Sequence, residues 1–308
     1  MVEPKYVKPQ YVKSQYVKSH YVKKHCSPKK DKLDYTCLSR KAIVKIAKSL
    51  NKLPNISVTY KKRPVKNIYS QICKIMETHF NCKNEACWLN IRNLMNSLSD
   101  SDRDYFQRHF RPHMPKDIVD DYTKWISNYD IEAVLNQYDR ESDDIYSYGA
   151  VPIDFKKCEV SGDLCKIDIN KHKKYGQNKL AMVFNTDDSS GPGRHWMAMY
   201  VDILGKNLNN QPGIYFFDSF ASSPMKEIKE LIETIKQQGA KNNIDFIVAI
   251  NDISFQRNNF SCGFYCMHFL ENMLQEIPFH RYLKSGINDA KMIKYRNQCY
   301  LHPNEIKY

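Results

Sequence analysis

Apolar positions along the chain change rhythm near residue 116. Before it they recur every three to four residues, and after it they come as short runs between turn residues. Ala42, Ile43, Ile46, Ala47 and Leu50 fall on one face of a helix that must end before Pro54. Ile72, Ile75 and Met76 mark a second helix, and Trp88, Leu89, Ile91, Leu94 and Met95 a third. Pro112 and Pro115 then break the pattern. Residues 34–115 are therefore expected to form a helical accessory (arm) domain, and residues 116–308 a separate domain.

In the second part, Ser127-Asn-Tyr-Asp130 reads as a capping box with Asp in place of Glu, opening a helix buried through Ile131, Val134 and Leu135. Lys179–Asn185, Trp196–Ile203, Gly213–Asp218 and Asp245–Ile250 read as strands. Ser223-Pro224 predicts a helix start with Pro at the first helical position, running to about Gly239 with Ile228, Leu231, Ile232 and Ile235 inward. Phe264–Leu274 is a further apolar helical stretch. Together these predict an α+β domain.

Residues 1–33 belong to neither pattern. Tyr-Val-Lys recurs at Tyr6, Tyr11, Tyr16 and Tyr21, and a five-residue period builds no apolar face. Nine Lys against Glu3 and Asp31 give the segment +7 of the chain's +13. It reads as a disordered basic tail, either a plain solvated leader or a tether to nucleic acid with tyrosines stacking on bases. There is no run of 18 apolar residues, so no membrane span is expected, and the basic N-terminus lacks the apolar core of a secretory signal. The ten cysteines are scattered, which suggests reduced thiols in a cytosol-like compartment. Cys82 and Cys87 could begin a metal site, but no second ligand pair follows, so neither metal nor cofactor is expected.

Three stretches carry chemistry. They read Gly-Arg-His195-Trp196, then Ile-Tyr-Phe-Phe-Asp218, then Gln256-Arg-Asn-Asn-Phe-Ser-Cys262-Gly263. A thiol is a strong nucleophile only as thiolate, which an adjacent imidazole and a helix N-terminus both favour. A carboxylate behind the imidazole fixes its tautomer and orientation. Gln256 can offer an amide N–H to a developing oxyanion, and the slim Gly263 leaves room for substrate and can add its own N–H. Asp202, at the end of the His195 strand, is the fallback acid. Cys266, one helical turn after Cys262, reads as core, His268 as structural, and His109 and His113 as surface or loop residues. The kit is that of a cysteine protease.

The Gly-x-His-Trp, strand-Asp and Gln-x5-Cys-Gly series resembles the Ulp1-like and adenain-like cysteine proteases. Within them, Asn185–Asp202 looks like the polyprotein-processing proteases of large DNA viruses, the African swine fever virus and mimivirus kinds. The likeness extends to Cys37-Leu-Ser-Arg-Lys41 and the Cys82/Cys87 pair in the helical region. The resemblance implies a papain-like active site reached in the chain order His, Asp, Cys. It also implies cleavage after Gly, in Gly-Gly-X or small-Gly-X sites, with glycines threaded between tryptophans. Trp196 matches the tunnel Trp, and Trp125 in Trp-Ile-Ser-Asn128 matches a Trp-Leu-x-Asp motif at the tunnel mouth. Asn128 stands where SUMO-directed members carry an Asp, and the virus-like protease has Asn at the position of Asp218. The expectation is therefore a monomeric endopeptidase of viral structural precursors, acting in the virion and at the assembly site in host cytoplasm. The alternative is an isopeptidase removing SUMO- or ubiquitin-like tags from host proteins.

Overall fold

The structure is a computed structural model that describes residues 25–28 and 32–305. A five-stranded sheet lies at its centre: β1 Ile145–Val151, β2 Lys179–Asn185, β3 Trp196–Asp202, β4 Gly213–Phe217 and β5 Ile247–Ile250, in that spatial order. The β2–β3–β4 meander is antiparallel, and β1 and β5 join its edges in parallel. The helices are α1 Arg40–Leu50, α2 Val65–Phe80, α3 Arg92–Ser97, α4 Asp100–Gln107, α5 Lys116–Asp120, α6 Asn128–Asp139, α7 Cys158–Ser161, α8 Ile169–Lys174, α9 Lys226–Lys241, α10 Cys262–Leu274, α11 Phe279–Leu283 and α12 Asp289–Cys299.

Strand β3 is buried along its whole length because both faces of the sheet are covered. Alternation sends Trp196, Ala198 and Tyr200 to one face, where they join Ala181, Val183, Tyr215 and Phe217 against α6, α10 and α12. Met197, Met199 and Val201 go to the other, against α9 through Ile228, Leu231, Ile232 and Ile235. The two apolar stripes of one strand thus hold a three-layer α/β/α core. Each such side chain taken out of water stabilises the fold by roughly 1.5–3 kcal/mol. The helix face predicted for α9 is the one that is buried. Its start differs: the helix begins at Lys226, with extended Met225 as N-cap. The Asp218 carboxylate accepts the backbone N–H groups of Phe220 and Ser222, and this turn delays the helix beyond Pro224.

The predicted strands all form, β2 within its predicted bounds and the other three with one end trimmed by one or two residues. The sequence reading missed β1. Its alternation is broken by a register shift between Ser147 and Ala150, where Gly149 takes φ +72°. The Ser127–Asp130 capping box is present, each residue's side chain accepting the other's backbone N–H.

The N-terminal helices surround a second core of Ile43, Ile46, Ile72, Met76, Trp88, Leu94 and Phe106. The expected third helix is split into a short 3-10 turn, Glu85–Asn90, and α3, because Ile91 leaves helical geometry between them. Several expectations are corrected in this region. Residues 25–28 are not part of a disordered tail: the Cys26 side chain is buried, and the His25 carbonyl and the Ser27 N–H bond the backbone of Arg111 and His109. The Tyr-Val-Lys repeats themselves lie outside the described residues. Cys26–Cys37, Cys82–Cys87 and Cys158–Cys165 are disulfides, so six of the ten cysteines are paired rather than reduced. His109 is fully buried, not a surface residue: its ring nitrogens meet the Tyr105 carbonyl at 2.8 Å and Ser39 Oγ at 3.1 Å. His113 is exposed as expected.

The chain's last described stretch returns to this region. Leu301 sits in the N-terminal core and exchanges backbone hydrogen bonds with Pro112 and Met114. Arg111 Nη1 reaches Glu271 Oε1 on α10 at 3.3 Å, with both side chains nearly buried, and Tyr138 donates to the same oxygen at 2.6 Å. No helix among the described residues is long and apolar enough to cross a membrane.

Candidate active site

Three sequence stretches far apart in the chain meet at one end of the sheet. His195 leads into β3, Asp218 follows β4, and the two strands are hydrogen-bonded neighbours. Cys262 is the first residue of α10, which packs across β3. His195 Nε2 donates to Asp218 Oδ1 at 2.6 Å. That leaves Nδ1 available to a thiol, and Cys262 lies near enough to act on the charge of the ring. The imidazole thus holds a buried carboxylate, with the buried Cys262 close by, while keeping 16% of its own surface exposed.

The electrostatics follow from that geometry. Burial pulls the His195 pKa down, but the hydrogen bonds to Asp218 and Cys262 and the charges of both outweigh it, and the value is pushed up to about 9. Burial raises Asp218, and it is more than offset by the His195 hydrogen bond and charge and by the Phe220 N–H and Ser222, which hold the carboxyl below its ordinary range. The first turn of α10 adds its own field. Ser261 at the N-cap makes no side-chain capping bond, so the leading N–H groups remain aimed at whatever forms on Cys262. Cys266 is fully buried, and burial pushes its thiol well above the usual value, as suits a core residue.

Gln256 is buried beside the acid. Its Oε1 accepts from Ser219 Oγ at 2.6 Å, and its Nε2 donates to the Asn258 carbonyl at 2.8 Å and more weakly to Asn258 Oδ1 at 3.5 Å. Trp196 Nε1 donates to the Ile126 carbonyl at 3.2 Å, and a Cβ placed on Gly263 would lie 2.6 Å from the Ile126 side chain and 3.2 Å from Trp196. Trp196 and Ile126 therefore pack directly over Gly263, the residue after Cys262, and leave no room for a side chain there. Trp125 is 44% exposed and its indole N–H holds the Asn259 carbonyl at 2.7 Å, in the loop that leads to Cys262. Asn128 lies at the start of α6 on the wall of a cleft of about 790 Å³ that begins at the two tryptophans.

Asp202, the fallback acid, is excluded by its own bonds. It is buried and accepts the backbone N–H groups of Leu204, Gly205 and Asn207, serving the turn after β3. Four supporting residues escaped the sequence reading. Asn251 brackets Asp218, accepting its N–H at 2.8 Å and donating to its carbonyl at 2.7 Å. Ser219 orients Gln256. Arg296 is buried against the rings of Phe264 and Phe260 and donates to Ser261 Oγ at 3.3 Å, bracing the turn that carries Cys262. Phe220 lies 5.1 Å from the His195 ring, centroid to centroid. None has a local sequence signal, since each acts across the fold.

Residues 177–307 match the Ulp1 protease family, C-terminal catalytic domain. A thiol protease of Acanthamoeba polyphaga mimivirus is 28% identical over 293 residues, covering 89% of this chain and 93% of the relative. A cysteine protease of African swine fever virus (isolate Tick/Malawi/Lil 20-1/1983) is 25% identical over 190 residues, covering 58% of this chain and 68% of the relative. The crystal structure of the African swine fever virus pS273R protease superposes with a TM-score of 0.61 at 20% identity, covering 90% of this chain and 95% of that one, so the fold is shared well beyond the catalytic segment. The match over residues 177–307 and the likeness to these thiol and cysteine proteases agree that the protein is a cysteine protease.

Proposed function

We propose that the protein is an endopeptidase cleaving after glycine, in Gly-Gly-X or small-Gly-X sites of viral structural precursors, at the site of virion assembly. The observation that carries this reading is His195, held by Asp218, with Cys262 close by at the start of α10 and Trp196 and Ile126 packed over Gly263 beside it. Side chains crowded this closely around the residue after Cys262 favour glycine on the acyl side of the cut. The kinship with viral proteases supports precursors as substrates.

In this reading the Cys262 thiolate attacks the carbonyl carbon, its proton resting on His195. The oxyanion is met by the Cys262 backbone N–H and the Gln256 amide. The C–N bond breaks as His195 passes its proton to the leaving amine, giving a thioester. Water then attacks the thioester with His195 as base, releasing the acid and restoring the thiol. Asn128 brings no charge to pair with an arginine on a ubiquitin-like modifier, which favours precursors over conjugates.

The test is cleavage of a fluorogenic peptide carrying Gly-Gly before the reporter, by wild type and Cys262→Ala in parallel. Cleavage by wild type alone is expected. Full activity in folded Cys262→Ala would remove Cys262 from the mechanism. Faster release of a ubiquitin-like modifier than of any precursor peptide would favour isopeptidase action.

A further inference from the structure

The cleft that begins at Trp125 and Trp196 has a charge opposite to that of the chain as a whole. It runs between one face of α6 (Asn128, Glu132, Asn136), the free edge of β1, the Val160–Asp163 turn and the loop Asp188–Gly193. Consecutive residues of β1, Tyr146 to Val151, and Pro152 after them line it, as the edge of a sheet allows. The protein carries 47 Lys and Arg against 34 Asp and Glu. Yet the charged residues lining the cleft are Glu132, Asp163 and Asp188, with no Lys, Arg or His among its walls.

These carboxylates are held in place without being neutralised. Asp163 accepts the Tyr146 hydroxyl at 3.0 Å, Asp188 accepts the Ser190 N–H at 2.9 Å and its Oγ at 2.6 Å, and Glu132 accepts the Ala150 N–H at 3.4 Å. Hydrogen bonds from Ser190 hold the Asp188 carboxyl below its ordinary range. Among the described residues none of the three forms an ion pair, although Asp187 next door is paired with Arg194 and nearby Asp154 with Lys157. In the same wall Ser161 is 5% exposed, and its Oγ has no hydrogen-bond partner.

We propose that this cleft holds the substrate segment preceding the scissile glycine, and that Glu132, Asp163 and Asp188 select segments bearing lysine or arginine. The proposal rests on the reading above. If the glycine next to the cut sits at Trp196, beside Cys262, the residues before it extend into the cleft that Trp196 also lines. A basic segment meets three fixed carboxylates there, and an acidic one meets like charge in a partly enclosed space. Exposed pairs of this kind are individually weak, so the preference is a matter of several-fold in rate rather than an absolute filter.

The experiment compares three Gly-Gly reporter peptides that differ only in the four residues before the glycines, carrying two Lys, two Glu or no charge. In wild type, kcat/KM is expected to fall in the order Lys, neutral, Glu, with at least about threefold per step, and the spread should shrink in high salt. In the variants Asp163→Lys and Asp188→Lys the order is expected to tilt toward the Glu peptide, a gain that a misfolded enzyme cannot give. Equal kcat/KM for all three peptides in wild type would overturn the proposal while leaving glycine cleavage intact. Absence of Cys262-dependent cleavage of every peptide would overturn the underlying reading instead. A wild-type preference that survives both Lys substitutions unchanged would place the selecting charge elsewhere and also overturn it.

Discussion

Ser219 Oγ and Gln256 Oε1 are 2.6 Å apart, deep in the protein and one residue along from Asp218. The hydroxyl can only donate to that oxygen, so it fixes which end of the Gln256 amide faces away from it. The Ser219 carbonyl also accepts the Gln256 N–H at 3.0 Å, clamping backbone and side chain together. Asp218 and Gln256 are thereby set by adjoining residues of one turn. Gln256→Ala should cost about 2–4 kcal/mol of transition-state stabilisation, read as a fall in kcat with little change in KM. Ser219→Ala should lose less, and combining the two should cost no more than Gln256→Ala alone. Additive losses would show that Ser219 acts by another route.

A second prediction concerns pH. His195 is raised to about 9, so its protonated form stabilises the fold fully below the ordinary histidine value of 6.5, and this is lost as pH rises through about 9. Asp218 is lowered, so its contribution is present above the ordinary carboxylate value and is lost as pH falls through its depressed one. Between those limits the pair persists, and kcat/KM should decline on the alkaline side near pH 9. Asp218→Asn removes a main source of the rise, and the alkaline limb should move toward neutral pH. A limb that stays at about 9 in the Asn variant would exclude the carboxylate as its source.

Gly263 provides a third. A methyl group there would overlap Ile126 at 2.6 Å and press on Trp196 at 3.2 Å. Gly263→Ala should cost about 1–3 kcal/mol in stability through overpacking and reduce turnover of Gly-Gly peptides by displacing Ile126 and Trp196 beside Cys262. Trimming the opposing side chain, as Gly263→Ala with Ile126→Val, should recover part of both. Failure of the pair to recover either would mean that the glycine serves the backbone rather than this packing.

How much of this was legible in the chain differs by element. The runs at Lys179, Trp196 and Gly213 were visible as strands because they are apolar on both faces and bounded by turn residues, which reflects a sheet covered on both sides. β1 was hidden by its bulge and by the polar residues that an edge strand carries. His195, Asp218 and Cys262 could be picked out because each sits at the end of a regular element in a chemically unusual setting. Ser219, Asn251, Arg296 and the carboxylates of the cleft could not. Ser, Asn, Arg and Glu are ordinary residues locally, and their roles exist only once distant segments meet. The same holds for His109, whose partners Ser39 and Tyr105 come from two different helical segments, and for the pairing of Cys26 with Cys37.

The return of Leu301 to the N-terminal core has a consequence for how the molecule assembles. Its backbone exchanges bonds with Pro112 and Met114, and its side chain fills a place among residues that precede it by some two hundred positions. The N-terminal core is therefore filled only once the chain has returned past the sheet, so its packing is coupled to that of the second part of the chain.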